Sequence, residues 1–197
     1  MAAEKAAWRG RFRAARRAAT EAERAAVSRA VCARALALPE VRAARVVHAF
    51  WPLADEVDLR PALAALRGRG VVVALPVVVG PRRLAHRAFE PGTLRAGRWG
   101  IMEPPADAPP VPPARVDVVL VPGLAFGRDG SRLGMGGGFY DTFLAETGGT
   151  RVGVCPAAAL VASVPAEPHD ARLDAIVTDA ETVCTGARTG PGRAAGA

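Results

Sequence analysis

The stretch "RVDVVLVPGLAFGRDGSRLGMGGGFYDTFLAE", residues 115–146, decides how this chain folds. It opens on an apolar, β-branched run at 116–121, which favours a β-strand. A glycine-rich loop follows, and a helical pattern then begins near residue 138. The stretch therefore predicts a strand, a loop and a helix in succession, which is a typical unit of an α/β protein.

The same alternation continues on both sides of this unit. Capping-box residues Thr20 and Glu23 predict the start of a second N-terminal helix, which Pro39 ends after about Leu38. Continuous apolar strands between helices indicate a parallel sheet covered on both faces. We therefore expect a three-layer α/β/α fold with a largely parallel central sheet, Rossmann-like but with a non-classical nucleotide loop. The predicted strands are 45–50, 71–79, 115–122, 151–154 and 174–178, with an added edge strand at 82–89, and the other helices are the opening segment, 59–67 and 138–146.

Length and composition bound the domain organisation. The chain has 197 residues, half of them hydrophobic, which is enough for one sizeable core. We expect a single α/β domain at 1–184 and a disordered tail at 185–197, where Gly, Ala and Arg dominate. The proline-rich segment 103–113 is predicted to be an extended surface connection.

Charge and cysteine content exclude few classes of function. The formal net charge of +7 favours anionic partners, although a bias toward Ala, Arg, Gly and Pro would produce the same charge. Cys32, Cys155 and Cys184 are far apart and form no C-x-x-C motif, which predicts reduced thiols rather than disulfides or zinc ligands. No apolar run approaches the roughly 20 residues of a membrane span. We expect a soluble, cytoplasmic protein.

The loop "GMGGG" at 134–138 is the first candidate site. Backbone N–H groups and the positive end of a helix dipole at such a junction can bind phosphate, and Arg132 beside it can add charged hydrogen bonds. The loop has no G-K-[ST], and Phe139 occupies the last glycine position of a dinucleotide fingerprint. The residues alone leave a phosphate cradle and a flexible turn equally open.

Two further features also admit two interpretations. Asp141, in the first turn of the predicted helix, either interacts with the helix dipole or binds Mg²⁺. Three basic residues at steps of four on the first helix form either a solvated face or a polyphosphate contact. The basic face consists of Lys5, Arg9 and Arg13, and a separate apolar face consists of Trp8, Phe12 and Ala15.

Of the histidines, His48 is predicted to pack inside the protein and His86 to lie on an exposed strand.

Segment 117–144, "DVVLVPGLAFGRDGSRLGMGGGFYDTFL", resembles the signature of the 5-formyltetrahydrofolate cyclo-ligase family, D-x-x-x-V-P-G-x-A-F-x-x-x-G-x-R-L-G-x-G-x-G-[YF]-Y-D. Four more segments resemble the family in the expected order, so that the resemblance extends from about residue 5 to residue 183. They are "KAAWR" (5–9), "WPLADEVDLRPALAAL" (51–66), "GRWGIMEP" (97–104) and "VPAEPHDARLDAIVT" (164–178).

The resemblance implies an ATP-dependent carbon–nitrogen cyclo-ligase that requires Mg²⁺. Such an enzyme closes 5-formyltetrahydrofolate to 5,10-methenyltetrahydrofolate and releases ADP and phosphate, through a phosphorylated formyl group that N10 attacks. It also implies the site residues. Lys5 and Arg9 would contact ATP, together with the loop residues Arg132, Leu133, Gly134, Met135, Gly136, Gly137, Gly138, Phe139 and Tyr140. Arg132 and Tyr140 would be catalytic, Asp141 and Asp174 would bind Mg²⁺, and Trp51, Glu56, Trp99 and Tyr140 would bind the folate.

Some positions differ from the family pattern. Phe139 stands where many members have tyrosine, Met135 replaces tyrosine or a basic residue, and Pro156 and Ala159 occupy positions that often hold phenylalanine and glutamine. These differences bear on folate binding more than on the use of ATP. We expect a monomer or weak dimer that binds 5-formyltetrahydrofolate and neither nucleic acid nor membrane. Two alternatives remain: a basic RNA- or polyanion-binding module, and a divergent ATP-dependent enzyme that acts on another carbonyl substrate.

Overall fold

The structure is a computed structural model that describes residues 1–168 and 170–186. Its helices are α1 (Ala2–Ala18), α2 (Glu21–Ala37), α3 (Pro39–Ala43), α4 (Arg60–Gly68) and α5 (Phe139–Glu146). Its strands are β1 (Val46–His48), β2 (Val72–Gly80), β3 (Arg83–Ala88), β4 (Arg95–Ala96), β5 (Met102–Glu103), β6 (Val118–Val121), β7 (Ala125–Gly127), β8 (Arg132–Leu133), β9 (Thr150–Val154), β10 (Leu160–Val161), β11 (Ala175–Val177) and β12 (Thr182–Cys184). Short 3₁₀ turns lie at Arg98–Gly100, Pro113–Arg115 and Ala157–Ala159.

The main sheet has the order β12-β11-β9-β6-β1-β2-β3. The five central strands are parallel, and β12 and β3 are antiparallel edge strands. This confirms the predicted parallel sheet and its added edge strand. The small sheet β10-β7-β8 and the hairpin β4-β5 were not predicted, because strands of two or three residues are too short to show a period-two pattern.

Both faces of the main sheet carry a hydrophobic core, which gives the predicted three layers. On one face, Val31 of α2 and Leu63 of α4 pack in the same cluster as Val47 of β1. On the other face, Phe12 of α1 and Phe143 of α5 pack in the same cluster as Val119 of β6. Alternate side chains of the central strands point to opposite faces, so each continuous apolar run supplies both cores.

The two N-terminal helices were predicted with one error. The capping box of α2 is formed: Glu23 N donates to Thr20 Oγ1 at 3.3 Å, and Thr20 N donates to Glu23 Oε2 at 2.8 Å. On α1, Ala15 is exposed rather than packed with Trp8 and Phe12, which corrects the predicted apolar face, and Lys5 of the basic face is buried. Lys5 is buried because two carboxylates meet it from the far end of the chain.

The proline-rich connection runs in extended form beside β3. Ala88 N donates to Pro109 O and Val111 N donates to His86 O, both at 2.8 Å. The connection therefore covers the outer edge of the sheet, which would otherwise present unpaired N–H and C=O groups. It also corrects the expectation for His86, which is buried rather than exposed.

Three remaining expectations concern the chain as a whole. Cys32, Cys155 and Cys184 are free thiols, as predicted. Thr185 N donates to Asp174 O at 3.0 Å, so the hydrogen-bonded part of the chain reaches the first residue of the predicted tail, while 187–197 lie outside the described residues. Within the described ranges, no helix is long and apolar enough to cross a membrane.

Candidate active site

A cavity of about 870 Å³ lies at the carboxyl-terminal edge of the main sheet. Phe50 and Trp51 follow β1 there, and Pro122 and Gly123 follow β6. Crevices at this edge of parallel sheets are the usual ligand sites of α/β proteins. The cavity is lined by all but one of the predicted site residues: Lys5, Arg9, Trp51, Glu56, Trp99, Arg132, Leu133, Gly134, Met135, Gly136, Gly137, Gly138, Phe139, Tyr140 and Asp141.

The glycine loop forms one wall of the cavity. Gly136 and Gly138 have φ values of 103° and 70°, in the left-handed region where a side chain would be strained. Gly138 is the N-cap of α5, and no side chain caps this helix. The first-turn N–H groups and the positive end of the helix dipole therefore lack the side-chain acceptor that a capped helix has. These features are more typical of an anion-binding loop than of a flexible turn.

Arginines surround the loop. Arg9 Nε donates to Gly134 O at 3.0 Å, and Arg13 Nη2 donates to Met135 O at 3.2 Å. The side chain of Arg82 lies against Gly138, so that a Cβ built there would be 3.2 Å from Arg82 Nε. Arg82 was not predicted, because it lies in the turn between β2 and β3 and carries no sequence signal that links it to the loop.

Arg132 and Asp141 form an ion pair inside the cavity wall. Arg132 Nη2 is 2.6 Å from Asp141 Oδ1, and the Arg132 side chain is only 5% exposed. Arg132 Nη1 also donates to Pro122 O at 3.3 Å, while its buried Nε has no partner in the described structure. The pair fixes both groups at the start of α5, beside the glycine loop.

Lys5 lies between two carboxylates that were not predicted to be site residues. Its Nζ is 2.7 Å from Glu167 Oε2 and 2.7 Å from Asp170 Oδ2. Burial lowers the pKa of the Lys5 ammonium, but the bonds to Asp170 and Glu167 outweigh burial and raise that pKa overall. Glu167 and Asp170 both line the cavity and both belong to the segment "VPAEPHDARLDAIVT" that resembled the family.

The structure separates Asp174 from the cavity, which corrects the predicted pairing of Asp141 with Asp174. Asp174 directly precedes β11, at the amino-terminal edge of the sheet, and Arg151 N donates to its Oδ2 at 2.8 Å. The cavity lies at the opposite edge. The second aspartate that reaches the cavity is Asp170, four residues earlier. Sequence alone did not distinguish the two aspartates, because both fall in the same motif.

Glu56 and Tyr140 bring two polar groups to the cavity that the glycine loop also lines, with the Glu56 side chain 11% exposed and the Tyr140 hydroxyl buried. Glu56 accepts hydrogen bonds from Leu53 N at 3.0 Å and from Arg16 Nη1 at 3.1 Å. Burial raises the pKa of the Glu56 carboxyl, and the bonds to Leu53 and Arg16 oppose the rise. Burial also raises the pKa of the Tyr140 phenol, with the Glu56 charge adding to it.

The Tyr140 hydroxyl is buried without a hydrogen-bond partner in the described part of the chain. A buried polar group left without a partner costs about 1–3 kcal/mol, and native structures rarely contain one. Because Tyr140 lines the cavity, a bound ligand is the natural partner for its hydroxyl.

Two tryptophans border the cavity. Trp51 is half-buried and packs on Phe89 with ring centroids 5.4 Å apart. Trp99 is 64% exposed and has φ +60°, and its ring centroid is 6.0 Å from that of Phe139. Broad rings at a cavity mouth suit a flat heterocyclic ligand.

The arrangement can therefore hold a polyanion beside a flat, polar heterocycle. Asp141 and Asp170 offer carboxylate oxygens next to the cradle, which is the donor type that Mg²⁺ takes when phosphates supply its other ligands. No group of three or more His, Cys, Asp or Glu side chains forms a metal cluster in the described ranges. Two carboxylates fit a cation that is bound jointly with a nucleotide.

Comparisons with known proteins agree with one another. The model of the family described as "5-formyltetrahydrofolate cyclo-ligase family" matches residues 1–179. A 5-formyltetrahydrofolate cyclo-ligase of Mycolicibacterium smegmatis is 38% identical over 145 residues, which cover 68% of this chain and 73% of the relative. That of Escherichia coli K12 is 34% identical over 170 residues, which cover 83% and 93%. The solved structure of Aquifex aeolicus 5,10-methenyltetrahydrofolate synthetase superposes with a TM-score of 0.84 at 31% identity and covers 96% of each chain.

Proposed function

The chain belongs to the 5-formyltetrahydrofolate cyclo-ligase family, and we propose that it uses ATP and Mg²⁺ to close 5-formyltetrahydrofolate to 5,10-methenyltetrahydrofolate in the cavity at the carboxyl edge of its sheet. The observation that carries the proposal is the joining of two unlike sites. A glycine loop before an uncapped helix, with arginines around it, lines the same cavity as the Glu56 carboxylate and the unpartnered Tyr140 hydroxyl.

The chemistry requires this adjacency. The formyl oxygen of the substrate is a poor leaving group, so it first attacks the γ-phosphorus of ATP, and ADP leaves. The formyl carbon is then bonded to a phosphate ester oxygen, and N10 attacks that carbon. The carbon–oxygen bond breaks, N10 loses its proton, and the formyl oxygen departs in inorganic phosphate. The protein needs to align two substrates and stabilise charge on the transferred phosphoryl group.

The cradle residues would bind the nucleotide. The α5 N-terminus, Arg9 and Arg82 would bind the phosphates, and Lys5, one turn before Arg9 on α1, would supply a further positive charge. Arg132 is the catalytic cation of the proposal, because its buried guanidinium can stabilise negative charge on the transferred group.

Asp141 and Asp170 would hold Mg²⁺, which neutralises charge on the phosphate oxygens when it is bound. Both carboxylates are paired with cations in the described structure, Asp141 with Arg132 and Asp170 with Lys5. A metal–nucleotide complex brings positive and negative charge together, so it can exchange with these pairs without leaving a charge unpaired.

The substrate would lie on the other side of the cavity. Glu56 can accept hydrogen bonds from N–H groups of the pterin, and Tyr140 can donate its unpartnered hydroxyl to a substrate oxygen. Trp51 and Trp99 would stack on the flat parts of the folate.

One assay tests the proposal. Folded protein is mixed with 5-formyltetrahydrofolate and Mg²⁺, and absorbance of the methenyl product is followed with and without ATP. We expect product only with ATP, and one ADP for each product formed. Absence of ATP-dependent product from folded protein would sink the proposal. An RNA- or polyanion-binding module would give no product, and an enzyme for another carbonyl substrate would release phosphate only with that substrate.

A further inference from the structure

Helix α1 contacts both halves of the cavity through one row of basic side chains. Lys5, Arg9 and Arg13 reach the carboxylates and carbonyls around the nucleotide cradle. Arg16, one turn further, reaches the substrate side. Lys5 and Arg16 are 11 positions apart, which is about 16 Å along a helix. Three turns of one helix thus span both sites.

Arg16 connects the row to Glu56. Its Nη1 is 3.1 Å from Glu56 Oε1 and its Nε is 3.0 Å from Asp55 Oδ2. The side chains of Arg16 and Glu56 are only 13% and 11% exposed, so this pair is little screened by water. Arg16 and Leu53 N together therefore orient the Glu56 carboxylate, and Arg16 is the positively charged partner in this pair.

We propose that Arg16 is a positioning residue for Glu56, and that α1 thereby makes the nucleotide and the folate bind cooperatively. The inference rests on the proposed function, since it assigns the two ends of α1 to the two substrates.

The physical reason is the shared helix. Phosphates bound at Lys5, Arg9 and the glycine loop would restrict the first turns of α1, and so would favour the position of α1 in which Arg16 contacts Glu56. Substrate bound at Glu56 fixes the last turns in return. Ordering of one helix is then shared by the two ligands, and the linkage must be reciprocal.

The test is the dissociation constant of a non-hydrolysable ATP analogue with Mg²⁺, measured by calorimetry with and without saturating 5-formyltetrahydrofolate. We expect folate to lower that constant at least about fivefold in the wild-type protein. In Arg16→Gln, the ratio should fall to within about twofold of unity. Arg17→Gln is the matched control, because Arg17 is the next residue on the same helix and is exposed. It should retain the wild-type ratio.

Arg16→Lys is a second variant that keeps the test decisive if Arg16→Gln misfolds. Thermal melting is measured for each protein. A single ammonium cannot bridge Asp55 and Glu56 as the guanidinium fork does, so the ratio should lie clearly below that of the wild type. A wild-type ratio near unity, or wild-type ratios in both Arg16 variants, would overturn the inference. ATP-dependent turnover of the wild-type protein tests the proposed function separately, because it does not require cooperative binding.

Discussion

The two edges of the main sheet use the same side chain in opposite ways. At the amino-terminal edge, Asp117 accepts hydrogen bonds from Arg45 N and Val46 N at 2.8 and 2.9 Å, and Asp174 accepts one from Arg151 N. At the carboxyl-terminal edge, Asp141 is bonded to the side chain of Arg132, and Asp170 is bonded to the side chain of Lys5 and to Glu167 N. Asp117 and Asp174 hold strands in place through backbone N–H groups. Asp141 and Asp170 are bonded to side-chain cations, which can exchange partners with a ligand, although Asp170 Oδ2 also accepts a hydrogen bond from Glu167 N at 2.7 Å.

The difference follows from the direction of parallel strands. Their amino-terminal edge presents backbone N–H groups, which a carboxylate satisfies directly. Their carboxyl-terminal edge presents carbonyl oxygens and leads into the N-terminus of α5, where positive potential and arginines collect. The edge of the sheet at which an aspartate lies therefore indicates whether it stabilises the strands or belongs to the candidate site.

Asp141→Asn should produce the largest effect on the functional edge. The amide keeps the shape of the side chain but loses the charge that would hold Mg²⁺, so kcat should fall about 10²–10³-fold. Far-ultraviolet circular dichroism should remain that of the wild type. Wild-type turnover in this variant would remove Asp141 from the site.

Acid should weaken the interior between the two edges. His48 Nε2 and His86 Nδ1 are 3.0 Å apart and buried, and burial lowers the pKa of His86 to about 4 and that of His48 well below its usual value. In the unfolded chain both histidines take up a proton below about pH 6.5, whereas in the folded chain the buried rings stay neutral at that pH. The contribution of the two neutral histidines to the free energy of unfolding should therefore be fully present above that pH. Below it, each histidine should lower the free energy of unfolding by about 1.4 kcal/mol per pH unit, down to about pH 4.

Urea unfolding at several pH values measures this dependence. His86→Phe removes one titrating ring and should flatten the slope between pH 6.5 and 4 by about half. The same slope in that variant as in the wild type would assign the pH dependence to groups other than this pair.

Asp117→Ala should weaken the structural edge and spare activity. It removes hydrogen bonds from two backbone N–H groups to a charged acceptor, which costs about 2 kcal/mol. For a chain of this length, the melting temperature should fall by about 4–8 °C. At a temperature where the variant is folded, kcat should stay within about threefold of the wild type. A drop of a hundredfold would show that the amino edge takes part in the reaction.

Lys5→Ala should give the smallest effect on the functional edge. The loss of one phosphate-facing cation should raise the KM for ATP about tenfold and leave the KM for folate nearly unchanged. Arg17→Ala, an exposed cation on the same helix, should change neither constant. Unchanged ATP kinetics in Lys5→Ala would make its bonds to Glu167 and Asp170 purely structural.

The main architecture could be predicted because its signals are local. Apolar runs predicted the central strands, and Thr20 and Glu23 predicted the start of α2. Lys5, Arg82 and Asp174 show what local signals miss. The burial of Lys5 depends on carboxylates more than 160 positions away, Arg82 meets Gly138 only through the fold, and the choice between Asp170 and Asp174 depends on the edge at which each lies.

The most direct test of the edge comparison is the kcat of Asp170→Asn and Asp174→Asn, measured side by side with ATP, Mg²⁺ and 5-formyltetrahydrofolate. The two residues are four positions apart, and the substitution is the same. We expect Asp170→Asn to lose at least about a hundredfold in kcat at a temperature where the variant is folded. Asp174→Asn should retain kcat within about threefold and melt at a lower temperature. The reverse pattern, with Asp174 needed for turnover and Asp170 dispensable, would contradict the account.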